Sequence, residues 1–405
     1  MPSLILKHNP NVTGTIGKLP ASKSISNRVL ILDALSRNKS TIRNLANARD
    51  TKLMKDLLNS EAEVIDAMDA GTTMRFLTAH FAISGQKKIL TGTSRMKERP
   101  IRLLVDALRH IGASIQYLEQ EGFPPIKVIG FPGQKNKAVS LPANVSSQYI
   151  SALMMVAPTL PQGLIIDLKG TVASRPYIEM TASLMKAFGV ESQFDGKQII
   201  IGHGKYQPTI VDVEPDWSAL SYWFAMVALA EKGDLLLKGV HKTSLQGDRV
   251  IVEIMEKLGV KTHFKNGDAI LSKTERVVPE LVWDFHNCPD LAQTVLPVCA
   301  LKGVKGSFTG LESLYIKETD RIAALQNELG KVGARLERKG DAFHFSPGTI
   351  PKTKIMINTY HDHRMAMGFA PWATLVDLEI EDREVVNKSY PDFWDDLKSI
   401  GFQYG

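Results

Sequence analysis

Apolar and polar positions along this chain recur in one grammar. A stretch with helical periodicity stops at a glycine, and the residues after it alternate apolar and polar, turn, and alternate again, as two paired strands do. Segments beginning at Ile101, Tyr177, Asp248 and Asp320 read this way, with Gly112, Gly189, Gly259 and Gly333 placed to supply left-handed helix ends. A further helix ends at Gly401, and DTKLMKDLLNS from Asp50 reads as a shortened first copy. The glycines lie about seventy residues apart, far more than the roughly thirty of one βαβ unit, so a plain Rossmann or barrel reading leaves strands unexplained. Six α/β units fill the 405 residues, three in each of two domains. The apolar run from Leu220 to Ala230 lacks β-branched alternation and predicts a buried helix. Crossings between the domains are expected in the Pro-bearing loop near Pro215 and in Lys18 to Ser24, which gives a domain of 18–215 inserted into one built from 1–17 and 216–405.

Composition narrows the function classes. Apolar residues make up 44% and charged residues 23%, the usage of a globular protein that folds in water. The longest apolar stretches, Ile150 to Leu160 and Leu220 to Ala230, fall well short of the roughly 20 residues a bilayer-spanning helix needs. MPSLILKHNP lacks the charged, apolar and small-residue regions of a signal peptide, and Cys288 and Cys299 are too few for a disulfide scaffold, so a cytoplasmic protein is expected. The formal charge of +6 is mild, and no basic stripe with aromatic platforms points to nucleic acid. Anionic small molecules fit better, because Lys and Arg focused in one cleft attract them without making the whole chain basic.

Several segments set cations and hydroxyls at small-residue helix starts, where unpaired backbone N–H groups favour anions. KLPASKSISNR places Lys23, Ser24 and Arg28 there, without the GxxxxGK[ST] pattern of a nucleotide loop. AGTTMR adds Gly71 and Arg75, the glycine allowing close approach of a ligand to the backbone. GTSRMKERP reads as a short polar loop with Arg95, Lys97 and Arg99; VSSQY carries Ser146, Ser147 and Gln148, and SRPY carries Ser174, Arg175 and Tyr177. In the C-terminal half, Lys317 and Arg321 share a face if a helix has already begun, Glu318 lies between them, and Asp290 follows a proline turn as a free carboxylate and a possible base. His361, Asp362, His363 and Arg364 precede another small-residue helix, and Lys388 follows in VVNKSYPDF. Two histidines at i and i+2 without a third ligand do not make a metal site.

PASKSISNR, AGTTMR, SRMKERPI, VSSQY, SRPYIE, KETDR, HDHRMAM and NKSYPDF occur in the order and at roughly the spacing of the 3-phosphoshikimate 1-carboxyvinyltransferase (EPSP synthase) family of enolpyruvyl transferases, which the chain resembles from about Lys18 to Leu397. The resemblance implies two inverse α/β domains, each of three βαβαββ units about a pseudo-threefold axis, with the active site in the interdomain cleft. It implies transfer of the enolpyruvyl group of phosphoenolpyruvate to the 5-hydroxyl of shikimate 3-phosphate, in aromatic amino acid biosynthesis, with release of phosphate through a tetrahedral intermediate. No cofactor or metal is expected, glyphosate is expected to inhibit, and a monomer is the default. Carried over by position, Lys23, Gly71, Arg95, Gln148, Arg321, Arg364 and Lys388 resemble the phosphoenolpyruvate-binding set. Ser24, Arg28, Ser146, Ser147, Gln148, Ser174, Tyr177, Asp290, Ser313 and Lys317 resemble the shikimate 3-phosphate-binding set. Asp290 resembles the carboxylate that takes the hydroxyl proton, and Glu318 with Lys23 the acid/base acting on the enol methylene.

Three residues depart from the family pattern: Asp69 stands where Asn is usual, Phe76 where Pro is usual, and Ser313 where Asn is usual. The related transfer to a UDP-linked amino sugar commonly uses a cysteine on a mobile loop, and this chain has no cysteine before Cys288. A non-catalytic anion-binding protein of the same fold would be expected to have lost Asp290, Glu318 or Lys388, and all three are present.

Overall fold

Five glycines end the repeated helices as their spacing predicts: Gly112, Gly189, Gly259, Gly333 and Gly401 all take positive φ, between 81° and 134°. At Gly112 the requirement is steric as well, because an added Cβ would lie 2.1 Å from the carbonyl oxygen of Gly133. The computed structural model describes residues 3–405 apart from 38, 144, 145, 171, 173 and 174. It divides into two compact units, Lys23–Val213 and the combination of Met1–Ser22 with Glu214–Gly405.

Within Lys23–Val213, two four-stranded sheets carry the full βαβαββ order. In the first, Val64–Asp66 and Lys88–Thr91 run parallel around the helix Gly71–Ser84, and the helix Arg102–Ile111 leads into the hairpin of Ser114–Tyr117 and Ile126–Gly130. The second repeats this with Ala138–Pro142, the helix Ser147–Val156, Leu164–Lys169, the helix Arg175–Ala187 and the hairpin Ser192–Phe194 with Gln198–Ile201. The parallel pairs need a crossover, and a helix supplies it, while the antiparallel strands are joined by short turns. The third sheet has two parallel strands, Thr41–Arg43 and Ile210–Asp212, with the helices Lys23–Leu35 and Arg49–Leu58. The copy read from Asp50 is therefore a helix without its hairpin.

The other unit follows the same plan. Asn11–Ile16 pairs parallel with Lys232–Leu237, which pairs with the hairpin Leu258–Lys265 and Asp268–Val277. Glu280–Asp284, Lys305–Thr309, Ala342–Ser346 and Arg335–Lys339 form the next sheet. The last contains Ile355–Ile357, Leu378–Ile380 and the N-terminal strand Leu4–Leu6. The helix Trp217–Leu229 is buried at every position except Ser218, as an all-apolar helix must be to escape water. Tyr222 meets Phe393 and Trp223 meets Tyr390 edge to face, with Trp223 tilted against Phe393, so removing Trp223 would cost about 3–5 kcal/mol. Among the described residues no helix is long and apolar enough to cross a membrane.

Candidate active site

In the unit Lys23–Val213, Arg28 ties four helices together. Its guanidinium donates to Thr181 Oγ1 at 2.8 Å, Ser151 Oγ at 2.9 Å and the Ser24 carbonyl at 2.9 Å, and it lies over the rings of Phe76 and Tyr177. Phe76, where the family pattern has Pro, thus provides one of the aromatic faces. Every hydrogen-bond acceptor is neutral, and among the described residues no carboxylate pairs with Arg28, although it is only 2% exposed. Burial lowers its pKa to about 10, and it remains charged at neutral pH.

The first turns of neighbouring helices add polar groups. Gln148 Nε2 donates to Thr72 Oγ1 at 3.2 Å, linking the starts of Ser147–Val156 and Gly71–Ser84. Ser146 caps the former, its Oγ accepting from the Gln148 N–H, and Ser147 is half-buried beside it. Lys23 pairs with Asp50 at 3.1 Å. Ser174 lies outside the described residues.

The structure separates the two arginines of SRMKERP. The segment folds as a short helix, Ser94–Lys97, capped by Thr93, where a polar loop was expected. Arg95 turns to Glu98 at 3.0 Å and is partly exposed. Arg99 is buried against Gly71, where an added Cβ would lie 2.6 Å from its Nη2. Gly71 therefore makes room for a guanidinium. Arg99 donates to the Asp69 carbonyl at 3.4 Å, and among the described residues it has no carboxylate partner. The Asp69 carboxylate pairs with Arg49 at 2.6 Å, which offsets the charge that the departure from Asn adds.

The unit containing Glu214–Gly405 builds a different cluster. Asp290, on the turn Pro289–Leu291, is not a free carboxylate. Oδ1 accepts from Arg321 Nη1 at 2.9 Å with Lys317 Nζ at 3.5 Å, and Oδ2 accepts from Arg364 Nη2 at 3.0 Å. Arg321 also donates to Asp362 Oδ2 at 2.7 Å and Glu318 Oε2 at 2.9 Å, and Lys388 Nζ lies 3.6 Å from Glu318 Oε1. Lys317 precedes the helix, which starts at Arg321 behind the N-cap Asp320, so shared contact with Asp290 rather than a helical face brings the two cations together. Ser313 is exposed on the turn Glu312–Ile316.

Burial alone would raise the Asp290 pKa, but Arg364, Lys317 and Arg321 overcome it and hold the carboxyl well below the usual range. Burial opposes the charges of Arg321 and Arg364 too, and their carboxylate neighbours raise both pKa values despite it. Asp248, which accepts from Ser218 Oγ, goes the other way: burial, then Asp290, pushes it up to about 7.

Asp362 is the N-cap of His363–Phe369, with Oδ1 accepting from the Arg364 N–H at 2.9 Å. The two residues before it, Tyr360 and His361, take φ of 53° and 55°, a conformation costing about 1–2 kcal/mol each for a side chain with a Cβ. Sequence reasoning named Arg99 and Asp362 among candidate polar residues but placed neither in a substrate set, and it gave Asp248 no site role. Among the described residues no group of three or more His, Cys, Asp or Glu is placed to hold a metal ion.

Comparisons with known proteins bear on this arrangement. The sequence model of the EPSP synthase (3-phosphoshikimate 1-carboxyvinyltransferase) family matches residues 6–60 and 55–397. The chain is 46% identical to a 3-phosphoshikimate 1-carboxyvinyltransferase of Bacteroides fragilis over 389 residues, 95% of each protein. It is 37% identical to one from Escherichia coli over 99% of each. A solved structure of EPSP synthase from Acinetobacter baumannii matches the fold with a TM-score of 0.78 over 100% of both chains, at 19% identity.

Proposed function

The chain belongs to the EPSP synthase family, and from that premise we propose that it transfers the enolpyruvyl group of phosphoenolpyruvate to the 5-hydroxyl of shikimate 3-phosphate. The observation that carries the reading is the carboxylate of Asp290, held ionised by Arg321 and Arg364, with Glu318 on the same arginine. Asp290 takes the proton of the attacking hydroxyl as its oxygen bonds to C2 of phosphoenolpyruvate, and the methylene takes up a proton that the Lys23 ammonium supplies by way of Glu318. In the tetrahedral intermediate that results, Glu318 removes a methyl proton as the C2–O bond to phosphate breaks, the departing phosphate takes up the proton held by Asp290, and the double bond is restored in the product.

The charges around Asp290 make the timing physical. A carboxylate paired with three cations is a weak base. When phosphoenolpyruvate draws Arg321 and Arg364, with Lys388 from Glu318, onto its own carboxylate and phosphate, Asp290 loses two of its three cationic partners and its basicity rises. Arg28, with Ser24, Ser146, Ser147, Ser174, Tyr177, Lys317 and Ser313, serves shikimate 3-phosphate; Gln148 and Asp290 serve both substrates. Arg99 takes the phosphoenolpyruvate role beside Gly71, ahead of Arg95, because it is the buried guanidinium without a carboxylate. Glyphosate, an anion of similar size, is expected to compete there.

Purified protein given phosphoenolpyruvate and shikimate 3-phosphate without added metal is expected to release phosphate and form the enolpyruvyl product. Folded protein that releases none overturns the reading. Release with a UDP-linked amino sugar instead selects the sister reaction.

A further inference from the structure

The helix Arg321–Gly330 grips the segment before Asp362 at two points, and only one belongs to the cluster described above. Arg321, at its first turn, binds Asp362. Glu328, two helical turns further along the same face, is completely buried. Its Oε1 accepts from the Tyr360 hydroxyl at 2.8 Å, and its Oε2 accepts from the Asn358 N–H at 3.1 Å and from Lys331 Nζ at 2.6 Å. Between these grips the backbone turns back on itself, the Asp362 N–H donating to the Thr359 carbonyl at 2.8 Å.

Both central residues of that turn, Tyr360 and His361, are left-handed, the pattern of a type I′ turn. Such turns favour Asn, Asp and Gly, and a Tyr at the first central position has no such preference, while His adopts it more readily than most residues but far less than Gly. A conformation its own residues disfavour persists only where the surroundings over-determine it. Glu381 fixes the near end, Oε2 accepting from the Thr359 N–H at 2.8 Å and from its hydroxyl at 3.3 Å. Glu328 fixes the middle.

We propose that Glu328 is a positioning residue for the reaction. Through Tyr360 and Asn358 it holds the left-handed turn that delivers Asp362 to Arg321 and to the Arg364 backbone, and so sets where the two guanidiniums stand. The kinetic consequence rests on the function proposed above; the geometric one does not.

Tyr360→Phe tests this with little disturbance, since it removes the hydroxyl and keeps the ring. Hydrogen exchange at the Asp362 and Arg364 amides is expected to quicken about tenfold with the rest of the chain unchanged. The KM for phosphoenolpyruvate is expected to rise about tenfold while that for shikimate 3-phosphate stays within about twofold. Adding His361→Gly, which removes one disfavoured left-handed residue, should restore most of the exchange protection and most of the KM. Wild-type exchange in Tyr360→Phe, or no rescue by the glycine, overturns the proposal. An inactive wild-type protein would overturn the proposed function instead, and the exchange measurement would still decide the role of Glu328.

Discussion

The two units hold their arginines in opposite ways. In Lys23–Val213, Arg28 and Arg99 are buried on neutral oxygens and rings. In the other unit, Arg321 and Arg364 are just as buried but are held by Asp290, Glu318 and Asp362. Desolvating a cation is costly, and the first arrangement leaves that cost uncompensated until an anion arrives. The second compensates it in advance, so an incoming anion must exchange with carboxylates. One cluster leaves its buried cations on neutral partners, whereas the other surrounds the Asp290 carboxylate with cations that hold it ionised.

Asp290→Asn tests the second half of that contrast most severely. It removes the proposed base and the carboxylate shared by Arg321, Arg364 and Lys317, and phosphate release is expected to fall about a thousandfold. An effect confined to KM would mean that Asp290 only stores cations. Arg28→Met probes the first half: the KM for shikimate 3-phosphate should rise about a hundredfold, the scale of losing charged hydrogen bonds. Thermal stability should stay level or rise, because a buried uncompensated charge has gone; a fall in stability with unchanged KM would recast Arg28 as structural.

Arg99→Ala against Arg95→Ala sharpens the comparison within one short segment. The former is expected to raise the KM for phosphoenolpyruvate about thirtyfold, the latter less than about twofold, since an exposed ion pair contributes little. The reverse order would return the role to Arg95. The smallest effect concerns Asp248, whose pKa of about 7 in the folded protein exceeds that of an unfolded carboxyl. The stability linked to this raised pKa is fully present below about pH 4 and is lost as pH rises to about 7. Asp248→Asn should flatten the thermal midpoint across that window by a few degrees, and an unaltered pH profile would remove Asp248 from the electrostatics of the cluster.

What the sequence made legible follows from how local each constraint is. A glycine forced into positive φ marks its own position, so the repeat and its helix ends were visible at Gly112 or Gly189 without any tertiary knowledge. The partners of Asp290 come from segments remote in sequence, and nothing near NCPD announces that three cations will occupy it. Arg95 lies in a four-residue helix and Arg99 just past its C-cap, and only the packing at Gly71 distinguishes them. Glu328 looks like an ordinary helical glutamate until the turn it supports is seen.

The strand Asn11–Ile16 lies parallel to Lys232–Leu237, and Leu4–Leu6 lies against Leu378–Ile380. During synthesis these strands leave the ribosome early and find their partners late. Residues 23–213 form a compact unit of their own and have all been synthesised while the first two strands still wait with open edges. The chain's earliest segment thus becomes its last to settle, and slowing translation beyond Val213 should prolong the interval in which those edges are open to misassociation.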